Sequence, residues 1–270
     1  MSTINEILKL SAQFLGSRRE AEEVIALALN CSRLNLYMLF DQPLNVAELE
    51  RCREVLRRRS KGEPLAYIRG EVEFYQCKIK INSSVLIPRQ ETEILVDLIA
   101  KKDLQQVQSV WDICCGSGAI GISLKKCRPE ISITLSDLSL NALQVVNENA
   151  QLNEIDVELL QGDFLNPFQG RRCDLIVCNP PYVTNGEWDT LDKSVKDFEP
   201  KIALIGGEDG LDFYRRLAMD GKGYLNENGI IWLEIGTGQG ERVKELFSTW
   251  KECAVMPDWA GHDRFVRIIK

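Results

Sequence analysis

The four residues Asn179-Pro180-Pro181-Tyr182 hold the most specific chemistry this sequence offers. Two successive prolines stiffen the backbone and remove two N–H donors, so carbonyl oxygens can face a site without competing donors. The Asn179 side-chain oxygen and the Pro180 carbonyl would then form a pair of acceptors for a planar NH2 group. Tyr182 offers a ring to pack against that plane. Asn and Pro are also common turn residues, so an ordinary turn is the plainer alternative. Position favours a site: the tetrapeptide follows the apolar run Leu175–Cys178, at the carboxyl end of what reads as a central parallel strand, where doubly wound folds bind their ligands.

A second constellation lies upstream. The run Val110–Cys114 reads as a strand and leads into Cys115-Gly116-Ser117-Gly118-Ala119. Two glycines one residue apart, between a strand and a helix, let the backbone turn sharply and approach a ligand closely. Gly121 completes a G-x-G-x-x-G pattern, so the glycines alone leave open NAD or another adenosine-bearing cofactor. Asp137 follows the next strand, about 20 residues on, where a carboxylate accepts ribose hydroxyls. The strand after that ends in Gly162-Asp163-Phe164, where Asp163 could take an adenine amino group and Phe164 could lie on the purine face. Each acid alone could be a cap or turn residue. Three consecutive strand ends supplying loop, acid, then acid with aromatic fit S-adenosylmethionine better than NAD.

These groups need elements to hold them. Beyond Gln90, apolar runs at Val110–Cys114, Ile131–Leu135, Val157–Leu160, Leu175–Cys178 and Ile230–Ile235 alternate with amphipathic stretches at Ile94–Ala100, Ala119–Lys126, Asn141–Leu152, Leu211–Ala218 and Glu241–Trp250. That alternation predicts an α/β fold, a Rossmann-like parallel sheet with helices on both faces, closed by a strand at Arg264–Lys270 that could run antiparallel. The first 60 or so residues read as helices, with Asn45 capping one of them and Glu48 placed to complete a capping box. Between the two regions, alternation from Glu71 to Leu86 predicts a strand pair hinged at Asn82-Ser83-Ser84, ended by Pro88. The expected organisation is a helical domain over residues 1–70, a β-hairpin connector over 71–88 and the α/β domain over 89–270.

Composition removes other classes of function. The chain has 270 residues, 40 acidic against 33 basic, a formal charge of −7 and a size ample for a buried core. Sequence-independent DNA binding needs clustered Lys and Arg, and the one basic concentration is Arg51–Lys61, either a solvated helix face or a docking patch for an acidic or RNA-bearing partner. A single histidine, His262, excludes a site built from several imidazoles, and no metal is expected. Nine cysteines without a Cys-x-x-Cys pair suit reduced thiols in the cytoplasm. No apolar run is long enough to span a bilayer, and a monomer is the expectation.

Asp/Asn-Pro-Pro-Tyr beside such a cofactor loop resembles the methyltransferases that modify planar NH2 groups: adenine in DNA, guanine in RNA, or a glutamine side chain. Gly62-Glu63-Pro64-Leu65-Ala66-Tyr67-Ile68, Glu73-Phe74-Tyr75, Ile87-Pro88-Arg89 and Glu91-Thr92-Glu93 narrow this. So do Glu199-Pro200, Ala203-Leu204, Gly206-Gly207, Asp209-Gly210-Leu211, Phe213-Tyr214-Arg215 and Leu233-Glu234-Ile235-Gly236. Together they resemble the HemK-type release factor glutamine methyltransferases. The resemblance implies S-adenosylmethionine as cofactor, held by Cys114, Cys115, Gly116, Ser117, Gly118, Asp137, Phe164 and Asn179. It implies a peptide chain release factor as partner, its Gly-Gly-Gln glutamine held by Asn179, Pro180, Pro181 and Tyr182. A ribosomal-protein glutamine methyltransferase shares the tetrapeptide, and a nucleic-acid amino-methyltransferase is the other alternative. The loop departs from the family where Cys115 replaces the usual Thr, and Phe164 stands where relatives carry Trp.

Overall fold

The computed structural model describes residues 2–270 and divides them into two compact units, the division falling after Gly70. The first unit is helical: α1 (Ile4–Leu15), α2 (Arg18–Ala28), α3 (Arg33–Met38), α4 (Val46–Arg59) and α5 (Leu65–Arg69). Its small core gathers Leu8, Val24, Ile25, Leu36 and Cys52. The capping box on α4 forms as the sequence suggests, with Glu48 N–H donating to Asn45 Oδ1 and Asn45 N–H to Glu48 Oε2, both at 2.9 Å. The basic run on α4 is largely engaged within this unit. Arg59 meets Glu20, Arg58 meets Glu63, Arg53 and Arg57 meet Glu50 and Glu54, and Arg51 donates to the Ala28 carbonyl. Surface pairs of this kind add little stability, but they dissipate the positive field that a bare count of arginines suggests.

The second unit opens with a hairpin, β1 (Glu71–Phe74) and β2 (Cys77–Lys80), paired antiparallel from Phe74↔Cys77 to Glu71↔Lys80. The turn is therefore Tyr75-Gln76, not Asn82-Ser83-Ser84. Tyr75 takes the left-handed conformation, at φ 53°, that a tight two-residue hairpin requires, although an aromatic is an unusual residue to supply it. Asn82 instead makes a turn just after the hairpin, its Oδ1 accepting from the Ser84 N–H at 2.8 Å.

Then follow α6 (Gln90–Lys102), β3 (Ser109–Ile113), α7 (Ala119–Cys127), β4 (Ser132–Asp137), α8 (Leu140–Leu152), β5 (Glu158–Gln161), β6 (Cys173–Cys178), α9 (Lys193–Phe198), α10 (Asp212–Tyr224), β7 (Leu225–Glu234), α11 (Gly240–Leu246), β8 (Glu252–Pro257) and β9 (Asp263–Ile269). The seven-stranded sheet has the order β5-β4-β3-β6-β7-β9-β8. The first five of these run parallel, and β9 is antiparallel to both β7 and β8. Central strands read as continuous Val/Ile runs because helices cover both faces. Leu175, Ile176, Val177 and Cys178 have no exposed surface. Strand β8, which the sequence reading did not anticipate, is a half-exposed edge with a weak apolar pattern. Helix α10 runs past Ala218, through Gly221, whose missing side chain lets the helix approach Ile231 and Trp250.

Strand order fixes where a ligand goes. From β3 the chain winds outward through β4 to β5, then crosses back to β6 on the other side of β3. This reversal opens a crevice at the carboxyl ends of β3 and β6. The register Ile113↔Cys178 sets the glycine loop beside Asn179.

Candidate active site

A cleft lies at that crevice, bordered by Cys114, Gly116, Asp137, Asp163, Phe164, Asn179 and Pro181 among the expected residues. Its remaining walls come from segments the motif reading left without a role: Ser84–Leu86, Leu138, Ala142, Ile202, Ala203 and Phe213. Glu199 ties two of these walls together. Its buried carboxylate accepts from the Ile87 N–H at 3.2 Å and from the Arg89 guanidinium at 2.5 Å.

The loop is held from both sides. Cys114 and Gly116 are left-handed, at φ 59° and 55°, a strain of about 1–2 kcal/mol for the non-glycine residue. The Gly116 N–H donates to Asp137 Oδ2 at 2.9 Å, and the Ser139 N–H donates to Oδ1 at the same distance. Burial raises the Asp137 pKa, and these backbone donors counter it. Behind the loop, the buried Asn149 donates to the Ser117 carbonyl at 2.9 Å while exchanging two hydrogen bonds with the backbone of Lys80. The hairpin thus braces the glycine loop. The third glycine serves packing: a Cβ on Gly121 would press on Leu135 and on the Asp112 carboxylate.

Three expected loop residues stand behind the cleft wall. Cys115 and Ser117 are buried, the Cys115 N–H donating to the Ser136 carbonyl at 3.0 Å. Gly118 caps α7 and accepts the close approach of Val146. Asp163 borders the cleft with its carboxylate shared bidentately with Arg216, at 3.0 and 2.8 Å. Phe164 is buried, with the Arg216 guanidinium over its face and the Phe213 ring edge-on to it.

The cleft offers polar groups suited to a nucleoside. A Cβ on Gly116 would meet nothing within 4 Å, so the loop backbone is open to a ligand. Ser136 lines the cleft with a buried hydroxyl that has no partner, a group that a polar ligand would satisfy. Asp137 adds a carboxylate of the kind that binds vicinal hydroxyls. The donor set therefore suits the adenosine end of S-adenosylmethionine.

The tetrapeptide separates two hollows. Asn179 and Pro181 face the cofactor cleft, whereas Tyr182 lines a neighbouring hollow with Val183, Thr184, Gln239 and Arg264. The Tyr182 carbonyl accepts from Gln239 Nε2 at 3.1 Å, and burial pushes its hydroxyl up to about 12, so it stays protonated. Asn179 continues β6 beside the end of β7, where the buried carboxyl of Glu234 accepts from the Thr92 hydroxyl at 2.7 Å.

Gly206 has a specific duty here. Any Cβ on it would collide with the Pro181 carbonyl and the Tyr182 backbone. Gly206→Ala is expected to push the tetrapeptide out of place, lowering kcat at least tenfold with a fall in Tm of several degrees. Turnover assays alongside thermal melts check this, and a variant with full kcat would show that the close approach is unimportant.

Asp112 sets a pH dependence of stability. It is fully buried in β3, with Oδ2 accepting from the Gly121 N–H at 2.8 Å and Oδ1 unpartnered. Desolvation pushes it up to about 7. The unfolded chain ionises this group near pH 4, so the folded state keeps a proton that the unfolded state has lost. The stabilisation is complete below about pH 4 and disappears as pH rises through about 7, on the order of 4 kcal/mol for the full shift. Wild-type Tm should therefore fall between pH 5 and pH 8 relative to Asp112→Asn, and parallel melting curves across that range would contradict the assignment.

The sheet, the switch-point cleft and the open glycine loop define the class: a Rossmann-like methyltransferase that uses S-adenosylmethionine. A methyltransferase of Pyrococcus furiosus superposes with a TM-score of 0.55 at 15% identity, over 82% of this chain and 98% of that one. Residues 89–197 match the methyltransferase small domain and residues 7–70 the PrmC N-terminal domain. The release factor glutamine methyltransferase of Geobacter sulfurreducens is 37% identical over 98% of this chain and 95% of its own length. That of Thermodesulfovibrio yellowstonii is 38% identical over 100% and 99%. The chain belongs to the release factor glutamine methyltransferase family. Among the described residues, no helix is long and apolar enough to cross a membrane.

Proposed function

We propose that this protein transfers the methyl group of S-adenosylmethionine to the side-chain amide nitrogen of the glutamine in the Gly-Gly-Gln motif of peptide chain release factors, in support of translation termination. The observation that carries this reading is the placement of Asn179 at the switch point, facing the cofactor cleft within the rigid Asn-Pro-Pro-Tyr turn. Membership of the family supports the release factor as substrate. The acidic chain and the paired arginines of α4 argue against DNA as substrate, and the protein is proposed to act in the cytoplasm as a monomer.

An amide nitrogen is a poor nucleophile because its lone pair is delocalised into the carbonyl. The Asn179 Oδ1 and the Pro180 carbonyl would each accept one amide hydrogen and so fix the plane of the carboxamide. Tyr182 packs behind the turn and keeps the two oxygens in place. When bound, S-adenosylmethionine supplies a methyl group made electrophilic by its sulfonium. On methylation, the amide held by Asn179 and Pro180 would give up one of its protons to solvent. Orientation of two bound reactants can lower a barrier by about 7–11 kcal/mol, whereas a neutral hydrogen bond contributes about 1 kcal/mol net. Geometry therefore outweighs binding in this site.

The test is incubation with radiolabelled cofactor and, separately, purified release factor, ribosomes and DNA. Label is expected in the release factor peptide that holds the Gly-Gly-Gln glutamine. Label on ribosomal protein or nucleic acid alone would reject the proposal.

A further inference from the structure

We infer that Gln239 is a positioning residue: its buried amide holds the Tyr182 carbonyl and so sets where the Asn179 and Pro180 oxygens stand. The inference rests on the reading of those two oxygens as substrate acceptors and adds the group that keeps their backbone in place.

A turn with two prolines is poorly able to brace itself. Pro180 and Pro181 have no N–H to donate, so the stretch that follows β6 depends on groups outside it. Just past the turn, the Val183 N–H donates to the Leu204 carbonyl and the Gly206 N–H donates to the Val183 carbonyl, both at 2.9 Å. Gln239 holds the turn itself. Its Nε2 donates to the Tyr182 carbonyl at 3.1 Å and to the Gly210 carbonyl at 3.3 Å, while its Oε1 accepts from the Gly236 N–H at 2.8 Å. A glutamine amide carries two donor hydrogens and one acceptor oxygen. Two carbonyls on one side and an N–H on the other fix which way it faces, and buried backbone groups of this kind are costly to leave unpaired.

The surroundings are shaped to this side chain. Gln239 is 8% exposed. Its own N–H donates to the Gly236 carbonyl at 3.1 Å, and its carbonyl accepts from the Val243 N–H at 2.9 Å in the first turn of α11, so its backbone is fixed at both ends. A Cβ on Gly236 would press on Gln239 Oε1 and on the Tyr182 ring, each at 3.0 Å. Gly210 is left-handed, at φ 75°, and a Cβ there would strike the Tyr182 carbonyl and Gln239 Nε2. Three chain segments thus meet on one amide: the end of the tetrapeptide, the approach to α10 and the exit of β7. Gln239 lines the Tyr182 hollow and not the cofactor cleft. It therefore acts through the turn, without touching the cofactor.

The test separates donor, acceptor and bulk. Gln239→Glu keeps the oxygen that serves the Gly236 N–H but sets a second oxygen against the Tyr182 and Gly210 carbonyls. Gln239→Met keeps the length and bulk and offers neither group, a volume-conserving change that a packing role would tolerate. Expected values are a kcat lowered about 30-fold in Gln239→Glu and about tenfold in Gln239→Met, with KM for release factor and cofactor Kd within threefold of wild type. Near-UV circular dichroism at the assay temperature establishes that each variant is folded, and Gln239→Met keeps the test decisive if the buried charge unfolds Gln239→Glu. Full kcat in Gln239→Met would mean that the side chain only fills space. Full kcat in Gln239→Glu would mean that donation to Tyr182 is unimportant. A loss carried by KM or by cofactor Kd, with kcat intact, would place Gln239 in binding. Each of these three results would overturn the inference while wild type still methylates its glutamine. A wild-type enzyme that leaves the glutamine unmodified would remove the functional reading and this inference together.

Discussion

Asn179→Ala is expected to lower kcat by about 10²–10³ while cofactor Kd changes less than threefold. The magnitude is that of removing one preorganised hydrogen-bonding group from a reacting centre. The separation of kcat from Kd follows from what the side chain touches. Asn179 borders the cleft where the carboxamide would lie. The expected hold on the nucleoside lies elsewhere, at Asp137 and the open Gly116 loop. Melts must accompany the kinetics, so that lost folding is not read as lost turnover. A large loss of cofactor affinity with turnover intact would show that Asn179 serves the cofactor instead.

The second large effect concerns Asp137. Asp137→Ala is expected to weaken S-adenosylhomocysteine binding about 100-fold by calorimetry, because a hydrogen bond to a charged group contributes about 1.5–3 kcal/mol and a ribose makes two. The same substitution releases the Gly116 and Ser139 N–H groups from their acceptor, so the loop loses its anchor even before ligand arrives. Turnover at saturating cofactor should fall far less than affinity. Unchanged affinity would mean that the ribose lies elsewhere.

The two substitutions probe neighbouring strand ends that the sequence displayed unequally. The parallel strands were readable because burial on both faces writes unbroken apolar runs such as Leu175–Cys178. The glycine loop was readable because only a particular spacing permits its turn. Strand β8 escaped because an edge strand faces solvent and shows little pattern. The hairpin turn was misplaced because Asn-Ser-Ser is a conventional turn signal, while Tyr75 adopts φ 53° with no local sequence mark. Asp163, expected to take an adenine amino group, shares its carboxylate with Arg216, 53 residues on. Glu234 and Thr92, 142 residues apart, meet through tertiary register alone. Local chemistry is legible in a sequence, whereas partnerships between distant strand ends require the fold.

The most direct measurement is a crystal structure of the protein with S-adenosylhomocysteine and a release factor bearing its glutamine. The account expects the glutamine amide nitrogen within about 3 Å of both Asn179 Oδ1 and the Pro180 carbonyl oxygen, with its free face toward the sulfur. A carboxamide bound away from these oxygens, or an Asn179 side chain turned from it, would contradict the account.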